Sequence, residues 1–142
     1  MKLQVVGCSH HNASVEMRER LAFSPAQAHD ALSRLRLLYP GTETVVLSTC
    51  NRVELYFAAE TAERFPSHHD VVEFLADFHG LDPLIVFNEL FERTGEDAIR
   101  HLFTVAGSLD SMVVGEAQIL PQVKEAYERA TADNSTGPLT HA

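Results

Sequence analysis

Thr44-Val45-Val46-Leu47-Ser48-Thr49-Cys50-Asn51-Arg52-Val53-Glu54-Leu55-Tyr56-Phe57-Ala58-Ala59 is the stretch that decides the fold. Thr44–Ser48 is β-branched and apolar, the composition of a buried strand, and Val53–Ala59 is a second such run. The polar residues between them are few enough for the two strands to form a hairpin. Upstream, Leu3–Cys8 reads as a short buried strand, ended by Gly7 and the polar turn Ser9–Asn12. Ser14–Leu21 suits a short helix. Ser24-Pro25-Ala26-Gln27 is a stronger helix start: Ser as N-cap, Pro at the first helical position and Gln three residues after the cap. Ala28, Ala31, Leu32, Leu35 and Leu38 then share one helical face, and Tyr39-Pro40-Gly41 stops the run.

Downstream, Ser67 and Asp70 open a helix with Val71, Phe74, Leu75 and Phe78 on one face, and Gly80 closes it. Phe87–Arg93 alternates and reads as a fourth strand, and Gly95-Glu96 starts a helix to about Ala106. The order β-α-β-β-α-β followed by helices predicts an α+β fold, a ferredoxin-like split βαβ unit with a four-stranded antiparallel sheet and additional C-terminal helices. Gly115 and Pro121 divide Ser111–Ala130 into two segments, and Asp133–Ala142 is polar, Gly/Pro-containing and expected to be loose. In such a unit the first two strands run parallel, so their C-terminal ends lie on one edge. That edge would gather Ser9, His10 and Asn12 with Cys50 and with Arg52 at the start of the third strand.

The 142 residues are 45% apolar and 22% charged, which suits one soluble globular domain. No run approaches the ~20 apolar residues of a membrane span. The N-terminal apolar run is too short for a secretory signal, so the chain is expected to begin in mature fold. Two cysteines without CxxC spacing argue against a disulfide scaffold or a zinc knuckle, and for a reduced, cytoplasmic thiol protein with no metal site. The net charge of −9 opposes a nucleic-acid surface, yet residues 1–52 hold six Lys/Arg against four Asp/Glu, while the remainder holds five against sixteen. Any RNA contact should therefore favour Arg18, Arg20, Arg34 and Arg36; the bland alternative is a solvated helix surface.

A lone cysteine at a strand end is more often a small inert hydrophobe than a nucleophile. Cys50 is different in being flanked by Thr49, Asn51 and Arg52, which a core would avoid, and a guanidinium nearby favours thiolate. The string Val46–Tyr56 as a whole resembles the signature of glutamyl-tRNA reductases. Three more segments agree in order and spacing. Gly7-Cys8-Ser9-His10 with Val15-Glu16-Met17-Arg18-Glu19 is similar to the family's N-terminal motif. Ala98-Ile99-Arg100-His101-Leu102-Phe103 looks like its His-bearing helix. Ser108–Ile119, continuing to Gln122-Val123-Lys124, looks like its substrate-pocket segment.

The resemblance implies that residues 1–132 form the N-terminal catalytic domain and 133–142 begin a linker toward an NADPH-binding domain not present here. It implies that a cysteine thiolate takes glutamate from glutamyl-tRNA as a thioester. NADPH then reduces the thioester to glutamate-1-semialdehyde, the entry to tetrapyrrole biosynthesis. Carried over position by position, Cys50 is the nucleophile and His101 a residue important for activity, as proton donor or as electrostatic support for the tetrahedral intermediate. Thr49, Asn51 and Arg52 line the glutamate site, Arg52 being suited to grip a carboxylate bidentately. Ser111, Glu116, Ala117, Gln118 and Gln122 complete it, with Glu116 a partner for the α-ammonium.

His10 is expected to be pocket architecture, His68 and His69 solvated first-turn residues, and Cys8 a packed strand residue. Asn12 stands where the family more often has a hydroxyl, which bears on pocket polarity. The implied partners are glutamyl-tRNA, glutamate-1-semialdehyde aminomutase and a second copy of the full-length protein, with no membrane. No G-x-G-x-x-G follows a strand, so this chain alone is expected to lack a cofactor site and to be unable to complete the reduction.

Two other readings compete. A stand-alone ferredoxin-like RNA- or protein-binding module would present aromatic residues on an open sheet face. A cysteine esterase would place His101 within reach of Cys50 with a carboxylate behind it.

Overall fold

A computed structural model describes residues 2–106 and 113–115. Strand β1 (Lys2–Ser9) leads through helices α1 (Val15–Leu21) and α2 (Pro25–Leu38) to the hairpin β2 (Glu43–Ser48) and β3 (Arg52–Ala59). Helices α3 (His68–His79) and α4 (Pro83–Glu89), strand β4 (Phe91–Thr94), helix α5 (Gly95–Ala106) and a short β5 (Val113–Gly115) follow. The sheet order is β4-β1-β3-β2-β5 and every adjacent pair is antiparallel. Its first four strands have the predicted split βαβ order. β5, pairing Val45 with Gly115 and Leu47 with Val113, is a fifth strand that the sequence reading did not include.

Local chemistry starts each helix where polar side chains satisfy free backbone amides. Ser14 caps α1, and Ser24 with Gln27 and Ser67 with Asp70 form reciprocal capping boxes on α2 and α3. Gly80 ends α3 at φ 67, a left-handed conformation open to glycine at little cost. Phe87 does not open the fourth strand. Asp82 accepts from the Leu84 amide at 3.0 Å and Pro83 takes the first helical position, so residues 83–89 coil and the strand begins at Phe91. Leu38, predicted on the buried face of α2, is exposed in the last turn, beyond the reach of the sheet.

The core has two parts because both faces of the sheet are covered. On one face Val6, Cys8, Val46, Val53, Leu55 and Phe57 meet Leu21, Leu32 and Leu35 of α1 and α2 and Val71, Val72 and Leu75 of α3. On the other, Leu3, Val5, Val45, Leu47, Tyr56 and Ala58 meet Ala98, Ile99, Leu102 and Val105 of α5. Each large aliphatic chain so buried contributes about 1.5–3 kcal/mol. Tyr56 and Phe57 are both fully enclosed, so the open aromatic platform of an RNA-binding module is missing from the described residues.

Candidate active site

The β2–β3 connection is a tight turn with Cys50 and Asn51 at its tip. The Thr49 amide donates to the Arg52 carbonyl at 2.8 Å, and the Thr49 hydroxyl accepts from the amides of Asn51 (3.1 Å) and Arg52 (3.2 Å). Thr49 thus shapes the turn as well as flanking the thiol. Below it, the buried Ser48 hydroxyl accepts from the Phe23 amide at 3.0 Å, tying the hairpin to the α1–α2 junction. Cys50 and Asn51 are exposed.

β1 exits beside this tip, as the topology requires. Ser9 pairs with Arg52, and the His10 amide donates to the Asn51 carbonyl at 2.9 Å. His10 and His11 are exposed, with ring centroids 3.9 Å apart. Asn12 is a structural lock: its Oδ1 accepts from the Ser9 amide at 2.7 Å and its Nδ2 donates to the Glu89 carbonyl at 2.9 Å. Its amide therefore joins the β1 exit to the end of α4, a role a hydroxyl is too short to fill on both sides.

The charged centre of the site is Glu54, a residue the sequence reading passed over. It is fully buried on the α5 side of β3. Tyr56 Oη donates to its Oε1 at 2.6 Å, Arg52 Nη1 to its Oε2 at 3.1 Å, and His101 Nε2 lies 2.6 Å from the same Oε2. Burial pushes the Glu54 carboxyl up, but hydrogen bonds from His101 and Tyr56 and the charges of His101 and Arg52 outweigh it and hold the group below its ordinary value. Burial, and then the Glu54 charge and hydrogen bond, push the Tyr56 hydroxyl far up. Opposite, Gly7 pairs with Glu54 and leaves no room for a side chain: a Cβ there would stand 2.3 Å from the Val53 carbonyl oxygen. A lone carboxylate in a strand buried on both faces was the available signal, because such a charge must be paired.

Thr49, Cys50, Asn51 and Arg52 are therefore together, and His101 joins them through Glu54. Arg52 Nη1 engages Glu54, two residues along the strand. No hydrogen bond links His101 to Cys50. Ser111, Glu116, Ala117, Gln118, Gln122 and the segment 133–142 lie outside the described residues.

The other cysteine, Cys8, is sealed beneath the helices, and burial pushes its thiol up to about 11. His69 is exposed, 3.6 Å from Glu73, but His68 is partly buried with its ring edge on Phe87, so only one of the pair is solvated as expected. Arg18 is buried and donates to the Ala13 carbonyl at 2.8 Å. Arg20 pairs with Glu16 at 3.0 Å, and Arg34 pairs with Asp30 at 3.2 Å while standing over Phe78. Arg20 and Arg34 thus lie on a solvated helix surface, whereas Arg18 is buried and serves the fold. Among the described residues there is no cluster fit to hold a metal and no helix long and apolar enough to cross a membrane.

The family model for the glutamyl-tRNA(Glu) reductase N-terminal domain matches residues 6–142. The glutamyl-tRNA reductase of Rhodopirellula baltica is 45% identical over 141 residues, 99% of this chain and 33% of that protein. That of Rubrobacter xylanophilus is 47% identical over 139 residues, 98% of this chain and 32% of that protein. The solved glutamyl-tRNA reductase from Methanopyrus kandleri aligns with a TM-score of 0.52 at 35% identity, covering 92% of this chain and 28% of that one. The chain spans about a third of the length of the curated relatives it matches.

Proposed function

The chain belongs to the glutamyl-tRNA reductase N-terminal domain family, and on that premise we propose that it carries the acyl-transfer half of the reaction, with Cys50 as nucleophile. The observation that supports this most is the contrast between the two thiols: Cys50 stands exposed at the tip of a braced turn, while Cys8 is sealed in the core. The Cys50 thiolate attacks the carbonyl carbon of the glutamyl ester. The ester C–O bond breaks, the ribose oxygen leaves as a hydroxyl by taking up a proton from His101 or from water, and glutamate stays as a thioester. Asn51 and Arg52 line the bound glutamate. With Nη1 committed to Glu54, Arg52 offers its remaining nitrogens to a carboxylate. Ser111, Glu116, Ala117, Gln118 and Gln122 complete the pocket, as the family motif implies.

Reduction by NADPH to glutamate-1-semialdehyde is assigned to the whole protein. The described residues do not fit a dinucleotide: such a site uses adjacent parallel strands and a glycine-rich turn, and this sheet is antiparallel throughout. The whole protein is further proposed to act as a cytoplasmic homodimer that hands its product to glutamate-1-semialdehyde aminomutase. A second reading, a cysteine esterase, is favoured by one feature, the carboxylate found behind His101.

The test is to mix the chain with tRNA charged with labelled glutamate and to look for protein-bound label released by hydroxylamine. Label in wild type and in Cys8→Ala, with none in Cys50→Ser, supports the assignment. Equal label in Cys50→Ser removes it. Steady release of free glutamate from charged tRNA, dependent on Cys50 and His101, would favour the esterase.

A further inference from the structure

We infer that Glu54 is the positioning residue of this site: its Oε2 keeps a proton on Nε2 of His101, so that whatever His101 gives to or takes from a substrate passes through Nδ1. The tautomer follows from geometry; its chemical meaning rests on the acyl-transfer reading proposed above.

Arginine only donates, and Arg52 Nη1 donates to Oε2; the Tyr56 hydroxyl donates to Oε1. Glu54 therefore receives hydrogen bonds at both oxygens, as a carboxylate does, and an ionised carboxylate has no proton to offer His101. At 2.6 Å the proton between Oε2 and the imidazole belongs to Nε2. This holds whether the ring is neutral or charged. Nδ1 makes no hydrogen bond among the described residues.

Three features stop the arrangement from relaxing. Tyr56 fixes the second oxygen of the carboxylate. Gly7 lets β1 close tightly over the Glu54 backbone. The His101 ring packs edge-on against Phe91, with centroids 5.2 Å apart. A carboxylate that holds an imidazole in one tautomer is the positioning half of acid–base machinery. The same oxygen holds Arg52, so one buried group orients both the imidazole and the guanidinium that face a substrate.

The experiment is long-range 1H–15N correlation of the histidine rings in the 15N-labelled chain, recorded over a pH series into the alkaline range. His101 is assigned from its loss in His101→Gln. The expected result is that the singly protonated His101 ring carries its proton on Nε2. A proton mainly on Nδ1 in wild type overturns the inference and needs no variant to do so. In Glu54→Gln, whose amide can either donate or accept, both tautomers should appear and acylation of Cys50 by glutamyl-tRNA should slow about tenfold or more. A variant with wild-type tautomer and wild-type acylation rate also overturns it. Should wild type not be acylated at all, the acyl-transfer reading fails, and the ring spectrum still decides the role of Glu54.

Discussion

Gly7 and Gly41 offer a paired test of what holds the site in place. A Cβ at Gly7 would lie 2.3 Å from the Val53 carbonyl oxygen, 2.7 Å from Glu54 Cα and 2.9 Å from Glu54 Cγ. A Cβ at Gly41 would lie just as close, 2.2 Å, to Arg64 Nη1. Distance alone predicts equal damage. The atoms met differ, however. At Gly7 two of the three are β3 backbone, at the centre of a sheet covered on both faces, so Gly7→Ala must push β1 and β3 apart. At Gly41 the obstacle is the end of an exposed, flexible side chain that can swing away. Gly7→Ala should therefore lose about 3 kcal/mol, the upper part of the overpacking range, and Gly41→Ala less than about 0.5 kcal/mol. With a urea slope of about 2 kcal/mol/M, the Gly7→Ala midpoint should fall by roughly 1.5 M and that of Gly41→Ala should barely move. Urea denaturation at neutral pH measures both. Equal midpoints for the two variants would falsify the claim that β3 is clamped at Glu54.

Glu54 should also leave a mark on acid stability. Its carboxyl is held below its ordinary value in the fold, so as pH falls the unfolded chain takes up this proton first. The stabilisation is complete above the unfolded value, about 4.3, and disappears as pH drops through the lower folded value. Glu54→Gln should be about 2 kcal/mol less stable than wild type at pH 7, with the gap closing below about pH 4; a constant gap down to acid contradicts the pairing. Iodoacetamide at mild alkaline pH should modify Cys50 readily and Cys8 only on unfolding, because Cys8 is sealed and its thiol pushed up to about 11. Peptide mapping reads both sites, and comparable rates in the folded chain would refute the burial. Asn12→Ala should lower stability by about 1–2 kcal/mol through its lost bonds to Ser9 and Glu89; an unchanged unfolding midpoint would show that the lock is idle.

The hairpin was legible because its two apolar runs and the polar link between them leave few alternatives, and the capping boxes at Ser24 and Ser67 were legible because their signals are local. What escaped the reading was set by tertiary context. Phe87 alternates with its neighbours as a strand would, yet Asp82 and Pro83 start a helix there, a local signal outweighed by periodicity. The cover that α5 gives the second sheet face was implied by Val53, Leu55 and Phe57 alternating with Tyr56 and Ala58, all apolar or aromatic. Glu54, the one charge among them, was the anomaly to pursue. The pairing of β5 could not be read, since three residues carry no period. Glu54 was missed because a buried carboxylate is recognised by the partners that gather round it, and the guanidinium of Arg52, two residues earlier on the strand, is one of them.

Peptide-level mass spectrometry of the chain, quenched shortly after mixing with glutamyl-tRNA, is the most direct test of Cys50 as the acyl acceptor. The expected result is one glutamyl group on the peptide containing Cys50, with the peptide containing Cys8 unmodified. A glutamyl group on any other side chain, or an unmodified Cys50 while glutamate leaves the tRNA, would contradict the proposed chemistry.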